Sequence, residues 1–174
     1  MKIRIRCAKM NDNELLAEVG RRLFATAFGA QNKPEDLAAY LAKSFSPQIQ
    51  ADELADPASV TLIAESEGAF AGYARLKVGQ PVFAIPGQHP VELVRIYSER
   101  EYIGQGVGSA LMQACLEEAA RREFDVIWLG VWEQNPRAIR FYERWGFVRA
   151  GTQIFKLGED FQTDYVMYLK LPAP

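Results

Sequence analysis

The hydrophobic and polar positions along this chain predict strands and helices in regular succession. The first residues alternate charged with β-branched side chains, which is typical of a half-buried strand. After Asn11 or Asp12, either of which is a suitable N-cap, apolar residues recur at helical spacing as far as Phe24. The apolar pattern predicts strands at residues 2–7, 60–65, 69–78, 91–97, 125–132, 148–157 and 164–171.

Proline and glycine mark the boundaries of the predicted helices. A proline is favoured at the first helical position, and a glycine is favoured just after the last one. The first helix is therefore predicted to begin at Asn11 or Asp12 and to end within residues 25–31, and the second to begin at Pro34. Two further helices are predicted at 106–122 and from Asn135 to just before Gly146. The pattern is irregular at 44–56, where a short helix is compatible with it. Loops are predicted at 79–90, which holds three prolines and two glycines, and at the acidic segment 158–164.

The predicted element order is β-α-α-β-β-β-α-β-α-β-β. This order indicates an α/β (α+β) fold with one mixed, mostly antiparallel sheet of about seven strands and helices on both faces. A chain of 174 residues is long enough for one sizeable core, and it contains no repeat or linker. We therefore expect a single domain over residues 1–174.

Composition narrows the functional classes. The chain has 20 Lys and Arg against 22 Asp and Glu, and it has no basic cluster of the kind that binds nucleic acid. No apolar run reaches the ~18 residues that a membrane helix needs. The two cysteines, Cys7 and Cys115, predict reduced thiols in a cytoplasm, and with one histidine they are too few ligands for a structural zinc site. The sequence does not define the oligomeric state, and a homodimer is compatible with it.

Three glycines at alternate positions, Gly104, Gly106 and Gly108, follow the strand 91–97 and open a helix. The N–H groups of a first helical turn have no partner within the helix, and the helix dipole makes that end partly positive. A glycine loop that opens a helix therefore predicts a ligand with phosphate groups, although a tight turn without a ligand has the same pattern.

Two common phosphate motifs fit poorly. A P-loop needs Gly-Lys followed by Ser or Thr, which is absent from the sequence. A dinucleotide fingerprint needs Gly or Ala where Ser109 stands, although Ala110 and Glu133 keep that interpretation open. A dinucleotide fold also needs several strand–helix units after the loop, and only one helix and two strands are predicted after Trp132.

The region from Val91 to Phe147 resembles the GCN5-related N-acetyltransferase (GNAT) family, which binds acetyl-coenzyme A. One matching motif is the glycine loop, similar to the family pattern Q/R-x-x-G-x-G/A at residues 103–108. The other is the segment 135–147, which is similar to the pattern N-x-x-A-x-x-F-Y-x-x-x-G-F. The chain departs from the family at Ile103, where Arg or Gln is usual. Phosphate binding by backbone N–H groups does not require that side chain.

The resemblance implies a role for each of several residues. Main-chain groups of Ile96, Tyr97 and Ser98 would pair with the pantetheine arm of acetyl-CoA. The pyrophosphate would contact the glycine loop, which comprises Gly104, Gln105, Gly106, Val107, Gly108 and Ser109. Asn135 would contact the coenzyme and Arg144 its 3′-phosphate. Tyr142 would protonate the leaving thiolate, and Glu92 would be the general base.

Each assignment has a structural alternative. Asn135 is also an N-cap, Tyr142 is also a candidate core aromatic, and Glu92 is also a candidate solvent-facing strand residue. The acceptor is expected to be a small primary amine. A polyamine is suggested because residues 129–133 and 155–164 are similar to bacterial spermidine/spermine N-acetyltransferases. Four carboxylates would then form an acidic rim, namely Glu92, Glu159, Asp160 and Asp164. Peptide or protein N-termini, aminoglycosides and a non-catalytic acyl-CoA sensor are the other interpretations.

Overall fold

The computed structural model describes residues 2–81 and 85–172. It contains one seven-stranded sheet with the strand order β1-β2-β3-β4-β5-β7-β6, in which only β4 and β5 are parallel. The strands are β1 (Ile3–Cys7), β2 (Ser59–Ser66), β3 (Ala69–Val78), β4 (Pro90–Ser98), β5 (Val126–Trp132), β6 (Val148–Leu157) and β7 (Asp160–Lys170). The helices are α1 (Asn13–Phe28), α2 (Pro34–Ser44), α3 (Pro47–Ala55), α4 (Val107–Arg121) and α5 (Pro136–Arg144).

The core has one layer on each face of the sheet. Apolar residues of α4 and α5 pack on one face against β5, with Leu111, Met112 and Cys115 fully buried. Helix α1 covers the other face with Leu16 and Val19. The predicted mixed sheet with helices on both faces is therefore confirmed. In the described ranges, no helix is both long and apolar enough to cross a lipid bilayer.

Strand β4 bends where it leaves β5. Arg95 pairs with Arg75 of β3 and Leu93 pairs with Leu76, so β4 has one extra residue, Val94, between two consecutive partners. Such a β-bulge bends the strand and increases its twist. The pairing of β4 with β5 ends at Glu92, and the remainder of β4 has one open edge. The bulge thus accounts for the gap that opens between the two parallel strands.

The short helix that the sequence left open at 44–56 is present, and the prediction of a loop at 158–164 was wrong. Residues 47–55 form the helix α3, so the order contains three helices between β1 and β2. Ser46 starts this helix, because its side-chain oxygen accepts a hydrogen bond from the N–H of Ile49 at 3.2 Å. The predicted acidic loop 158–164 is a tight turn, and β7 begins at Asp160. The polar residues after that point alternate along a strand.

The predicted loop 79–90 is only partly described. Residues 79–81 and 85–89 have no helix or strand, Pro90 already belongs to β4, and 82–84 lie outside the described residues.

The turn between β6 and β7 is tied to α2 through Gly158. The N–H of Glu159 donates a hydrogen bond to Asp36 Oδ1 at 2.7 Å, and Gly158 has a φ of 62°. A Cβ at Gly158 would overlap the backbone and side chain of Asp36. We therefore expect Gly158→Ala to lower the free energy of unfolding by about 2–5 kcal/mol, from the positive φ and the overlap together.

Comparing the free energies of unfolding of Gly158→Ala and Gly68→Ala, measured by urea denaturation, separates the cost of the overlap with Asp36 from the cost of a positive φ. Gly68 also has a positive φ, 87°, but nothing lies within 4 Å of the place where its Cβ would stand. Gly68→Ala is expected to cost only about 1–2 kcal/mol. Equal losses in the two variants would show that the contact with Asp36 does not constrain the hairpin.

Candidate active site

The larger of two adjoining cavities has a volume of about 790 Å³ and lies at the open ends of β4 and β5. Helix α1, the end of β4, the glycine loop and α5 form its walls. Its lining residues include Leu23, Thr26 and Ala27 of α1, which no sequence motif indicated. These residues face the cavity because α1 crosses the sheet next to the end of β4, a tertiary arrangement without a local sequence signal.

The glycine loop presents unpaired N–H groups to the larger cavity. Gly104 and Gly106 have φ values of 81° and 91°, and Gly106 is the N-cap of α4. Among the described residues, no acceptor forms a hydrogen bond with the N–H of Gly106, Val107, Gly108 or Ser109. A Cβ at Gly104 would meet no atom within 4 Å, so the backbone there is open to the cavity. Unpaired N–H groups at the positive end of a 15-residue helix are suited to bind an anion.

Three arginines add positive charge to the same cavity, namely Arg100, Arg137 and Arg144. Within the described ranges, none of them forms a salt bridge. Of the three, the sequence predicted only Arg144. Arg137 follows an N-cap and Arg100 follows a strand, so each had the pattern of an ordinary exposed residue. Together they provide countercharge for several phosphate groups.

The end of β4 forms another wall through Ile96, Tyr97 and Ser98. On one side this segment pairs with β3, where Tyr97 lies opposite Tyr73. The other edge is open because the pairing with β5 has ended. Its free N–H and C=O groups can pair with an extended ligand in the manner of an added strand.

Helix α5 contributes Asn135 and Tyr142. Asn135 is the N-cap, since its Oδ1 accepts a hydrogen bond from the N–H of Ala138 at 3.1 Å. The ring of Tyr142 packs in the core, 5.7 Å from the ring of Phe147 between centroids. The Tyr142 hydroxyl has no hydrogen-bond partner among the described residues, yet it is not one of their fully enclosed unpaired atoms. Burial raises the pKa of Tyr142, so this hydroxyl keeps its proton at neutral pH.

The smaller cavity, of about 310 Å³, is lined by α1, α2, α5 and the strands β4, β5, β6 and β7. Aromatic rings form much of its wall, and its polar residues include Glu92, Arg95 and Asp164. The two cavities share Ala27, Ile96, Tyr97, Asn135, Ala138 and Tyr142. A ligand in one cavity can therefore meet a ligand in the other beside the end of β4.

Glu53 of α3 organises the charges next to the bulge. Its carboxylate binds Arg95 through two hydrogen bonds of 2.6 and 3.0 Å, and it also accepts one from Arg75 at 3.0 Å. Arg75 and Arg95 lie directly opposite each other on β3 and β4, where two unneutralised cations would repel. Glu53 thus fixes the strand segment that leads to Ile96.

Comparison with known proteins gives the family. The model of the acetyltransferase (GNAT) family matches residues 21–147. An uncharacterized N-acetyltransferase of Mycobacterium tuberculosis is 36% identical over 162 residues, which cover 93% of this chain and 99% of the relative. An uncharacterized N-acetyltransferase of Lactobacillus delbrueckii subsp. lactis is 34% identical over 149 residues, 86% of each chain.

The chain belongs to the GNAT family. A PaiA N-acetyltransferase from Thermoplasma acidophilum, solved in complex with coenzyme A, has the same fold with a TM-score of 0.75 and 21% identity. The alignment covers 98% of this chain and 99% of that one. The resemblance inferred from the two sequence motifs is confirmed by these matches, and the protein is an N-acetyltransferase.

Most of the GNAT residues predicted from the sequence line the larger cavity, while two residues of the glycine loop do not. Val107 is fully buried in the core, and the side-chain amide of Gln105 turns back to the carbonyl of Glu101. The N–H of Gln105 also donates to the carbonyl of Tyr102, so of these two residues only Val107 offers an unpaired backbone N–H to a ligand. The predicted residues that do line it are Ile96, Tyr97, Ser98, Gly104, Gly106, Gly108, Ser109, Asn135, Tyr142 and Arg144.

The predicted acidic rim is only half present. Glu92 and Asp164 line the smaller cavity. Glu159 instead pairs with Lys156 at 3.2 Å on the exposed β6–β7 turn, and Asp160 accepts a hydrogen bond from Gln162 beside it. Neither lines the cavity, because the turn that carries them is drawn against α2.

Proposed function

We propose that this GNAT protein transfers the acetyl group of acetyl-CoA to a small primary amine by direct transfer in a ternary complex. The observation that carries this proposal is the shared wall of the two cavities. It lies where β4 and β5 separate, and it includes the open strand edge at Ile96 and the hydroxyl-bearing residue Tyr142. Two substrates, one in each cavity, would meet there, so that a bimolecular step becomes effectively intramolecular.

Acetyl-CoA is assigned to the larger cavity. Its pyrophosphate would accept hydrogen bonds from the N–H groups at the start of α4, and its pantetheine arm would pair with the open edge of β4. Arg100, Arg137 and Arg144 would neutralise its phosphate charges. Asn135 and Ser98 lie on the same path towards the shared wall. The cavity, the unpaired donors and the cations all fit this one ligand.

Direct transfer is supported by the positions of the two thiols. Cys7 is exposed on β1 and Cys115 is buried in α4, and neither lines either cavity. No cysteine is therefore placed to carry the acetyl group between substrates. In the proposed reaction the amine attacks the acetyl carbonyl carbon. An N–H of β4 beside Ile96 stabilises the oxyanion, and Tyr142 gives a proton to the leaving thiolate.

The acceptor is assigned to the smaller cavity. Its aromatic wall favours the carbon chain and the charge of an alkylammonium, and its carboxylates Glu92 and Asp164 have no salt bridge within the described ranges. We propose a small amine, with polyamines as the first class to test. Because Glu159 and Asp160 lie outside the cavity, this proposal depends on its interior and not on an acidic rim.

An amine panel tests the function. Thiol release from acetyl-CoA is measured with spermidine, putrescine, an aliphatic monoamine and a peptide with a free N-terminus. We expect kcat/KM to be at least about tenfold higher for a polyamine than for the peptide. This factor corresponds to about 1.4 kcal/mol, the scale of one charge-assisted hydrogen bond. Preference for the peptide would indicate a protein N-acetyltransferase. Acetyl-CoA binding without thiol release for every amine would contradict the proposed reaction.

A further inference from the structure

The two carboxylates of the smaller cavity lie at different heights in the sheet. Glu92 is the last residue of β4 that pairs with β5, and its partner is Trp128. Asp164 pairs with Trp132, four residues further along β5. Four residues of a strand span roughly 13 Å. Glu92 therefore lies at the closed end of the gap between the strands, and Asp164 lies at its open end.

Asp164 is connected to the shared wall through its strand partner Trp132. Trp132, its partner, accepts a hydrogen bond through its carbonyl oxygen from the N–H of Asn135 at 2.9 Å. Asn135 lines both cavities. Glu92 instead directs its carboxylate towards Gly79, where a Cβ would stand 3.8 Å from Glu92 Oε2.

The charges around the two carboxylates differ as well. Burial raises the pKa of Glu92, and the positive charges of Arg75, Lys77 and Arg95 oppose that effect. Within the described ranges, no cation forms a salt bridge with Asp164, although it is only 8% exposed. Among the described residues, no salt bridge therefore neutralises an ionised Asp164, and its carboxylate can bind the cation of a ligand.

The surroundings of Asp164 are built for a polar group. Gln153 is its partner on β6, and Gly130 of β5 leaves room for both side chains. A Cβ at Gly130 would stand 3.1 Å from Asp164 Oδ2 and 2.5 Å from Gln153 Nε2. Glycine at this position thus keeps the carboxylate and the amide together in the cavity.

We propose that Asp164 binds the ammonium group of the acceptor and is the general base that removes its proton. This inference extends the proposed function, because it assigns a catalytic residue to the acceptor side of the same site. It also transfers to Asp164 the role that the sequence predicted for Glu92.

The proposed step balances as follows. The ammonium gives one proton to Asp164, and the nitrogen lone pair then forms a bond to the acetyl carbonyl carbon. The carbon–sulfur bond breaks with its electron pair on sulfur, and Tyr142 protonates this thiolate. The nitrogen then loses a second proton to the Tyr142 phenolate, and Asp164 releases the first proton to solvent. The products are the N-acetylated amine, coenzyme A and one proton.

A pH profile follows from the surroundings of Asp164. The pKa of Asp164 is raised to about 6, chiefly by burial; the Gln153 amide opposes this effect, and the nearby charge of Glu133 adds to it. The other ionisable side chains that line the cavity are Tyr40 of α2, Glu92, Arg95 and Tyr97 of β4, and Tyr142 of α5. Activity of the parent should therefore fall below about pH 6, where Asp164 takes up a proton and can no longer act as a base.

The test compares pH profiles of kcat/KM for spermidine, measured by thiol release. Asp164→Asn is expected to lower kcat/KM about 10²–10⁴-fold at neutral pH. It should also remove the acidic limb of the profile, which is the fall in kcat/KM below about pH 6. Glu133→Gln removes a charge that raises the pKa of Asp164, so it should move the limb to lower pH. Glu159→Gln makes the same change on the exposed neighbouring turn and should leave the limb in place. An acidic limb that survives in Asp164→Asn but disappears in Glu92→Gln would overturn the proposal.

Folding and function are separated by two further measurements. Because burial penalises the ionised form, the cost of ionising Asp164 appears as pH rises from about 4 to 6, so Asp164→Asn should be at least as heat-stable as the parent at neutral pH. The carboxyl ¹³C resonance of Asp164 is titrated with and without spermidine in the presence of coenzyme A. Spermidine is expected to lower the pKa of Asp164, and an unchanged pKa would contradict the assignment. If the proposed function itself is wrong, the parent protein will release no thiol from acetyl-CoA with any amine.

Discussion

Gly106→Val is expected to weaken acetyl-CoA binding by about 10²–10⁴-fold. Gly106 starts α4, and the N–H groups of the next residues are unpaired in the direction of the larger cavity. A β-branched residue disfavours the φ of 91° found there, so the loop would change its path and at least two charge-assisted hydrogen bonds to phosphate would be lost. Each such bond contributes about 1.5–3 kcal/mol, which gives the expected factor. Isothermal titration with acetyl-CoA measures it.

Gly68→Val is the matched control for backbone strain. Its φ of 87° is close to that of Gly106, and it lies in the β2–β3 turn with open space where a Cβ would stand. Both variants should therefore lose a similar amount of stability, about 1–3 kcal/mol. Only Gly106→Val should lose affinity. Parental affinity in a folded Gly106→Val protein would mean that the pyrophosphate binds elsewhere.

The parts of the site that depend on local backbone geometry could be predicted from the sequence. Glycines at alternate positions before an apolar helical pattern indicated the start of α4, and Asn135 before a proline indicated the N-cap of α5. Both features are set by the φ and hydrogen-bonding preferences of a few neighbouring residues. The seven strands followed in the same way from apolar alternation, with boundary errors where polar residues such as Asp160 continue a strand.

The acceptor side could not be predicted in the same way, because it depends on register and on packing between distant segments. The bulge at Val94 is visible only in the pairing of β3 with β4. The height of Asp164 in the sheet depends on its partner Trp132, which is 32 residues earlier in the chain. Charge alone placed Glu159 and Asp160 in the same group as Asp164, although the turn that holds them is tied to α2. Carboxylates that are close in sequence thus have different surroundings.

Tyr142→Phe is expected to lower kcat about 10- to 10⁴-fold and to leave the affinity for acetyl-CoA close to that of the parent. The ring would keep its packing against Phe147, so the fold should be retained. What disappears is a hydroxyl without a hydrogen-bond partner in the described ranges, at the wall shared by the two cavities. Burial raises the pKa of Tyr142, so the hydroxyl carries its proton at neutral pH and is in the acid form that the leaving thiolate requires. Steady-state kinetics and titration with acetyl-CoA separate the two quantities.

Variants of two other tyrosines show whether the loss of kcat expected in Tyr142→Phe is specific to that position or follows from the loss of any tyrosine hydroxyl. Tyr97 lines both cavities and is the rival proton donor, while the hydroxyl of Tyr73 is fully enclosed and has no partner. Tyr73→Phe removes a buried polar group without a hydrogen bond, so it should leave kcat unchanged and stability equal or higher. A large loss of kcat in Tyr97→Phe with a parental rate in Tyr142→Phe would assign the proton to Tyr97. Tyr142 would then be a core aromatic at the end of the gap between β4 and β5, and the open strand edge at Ile96 would still define where the two substrates meet.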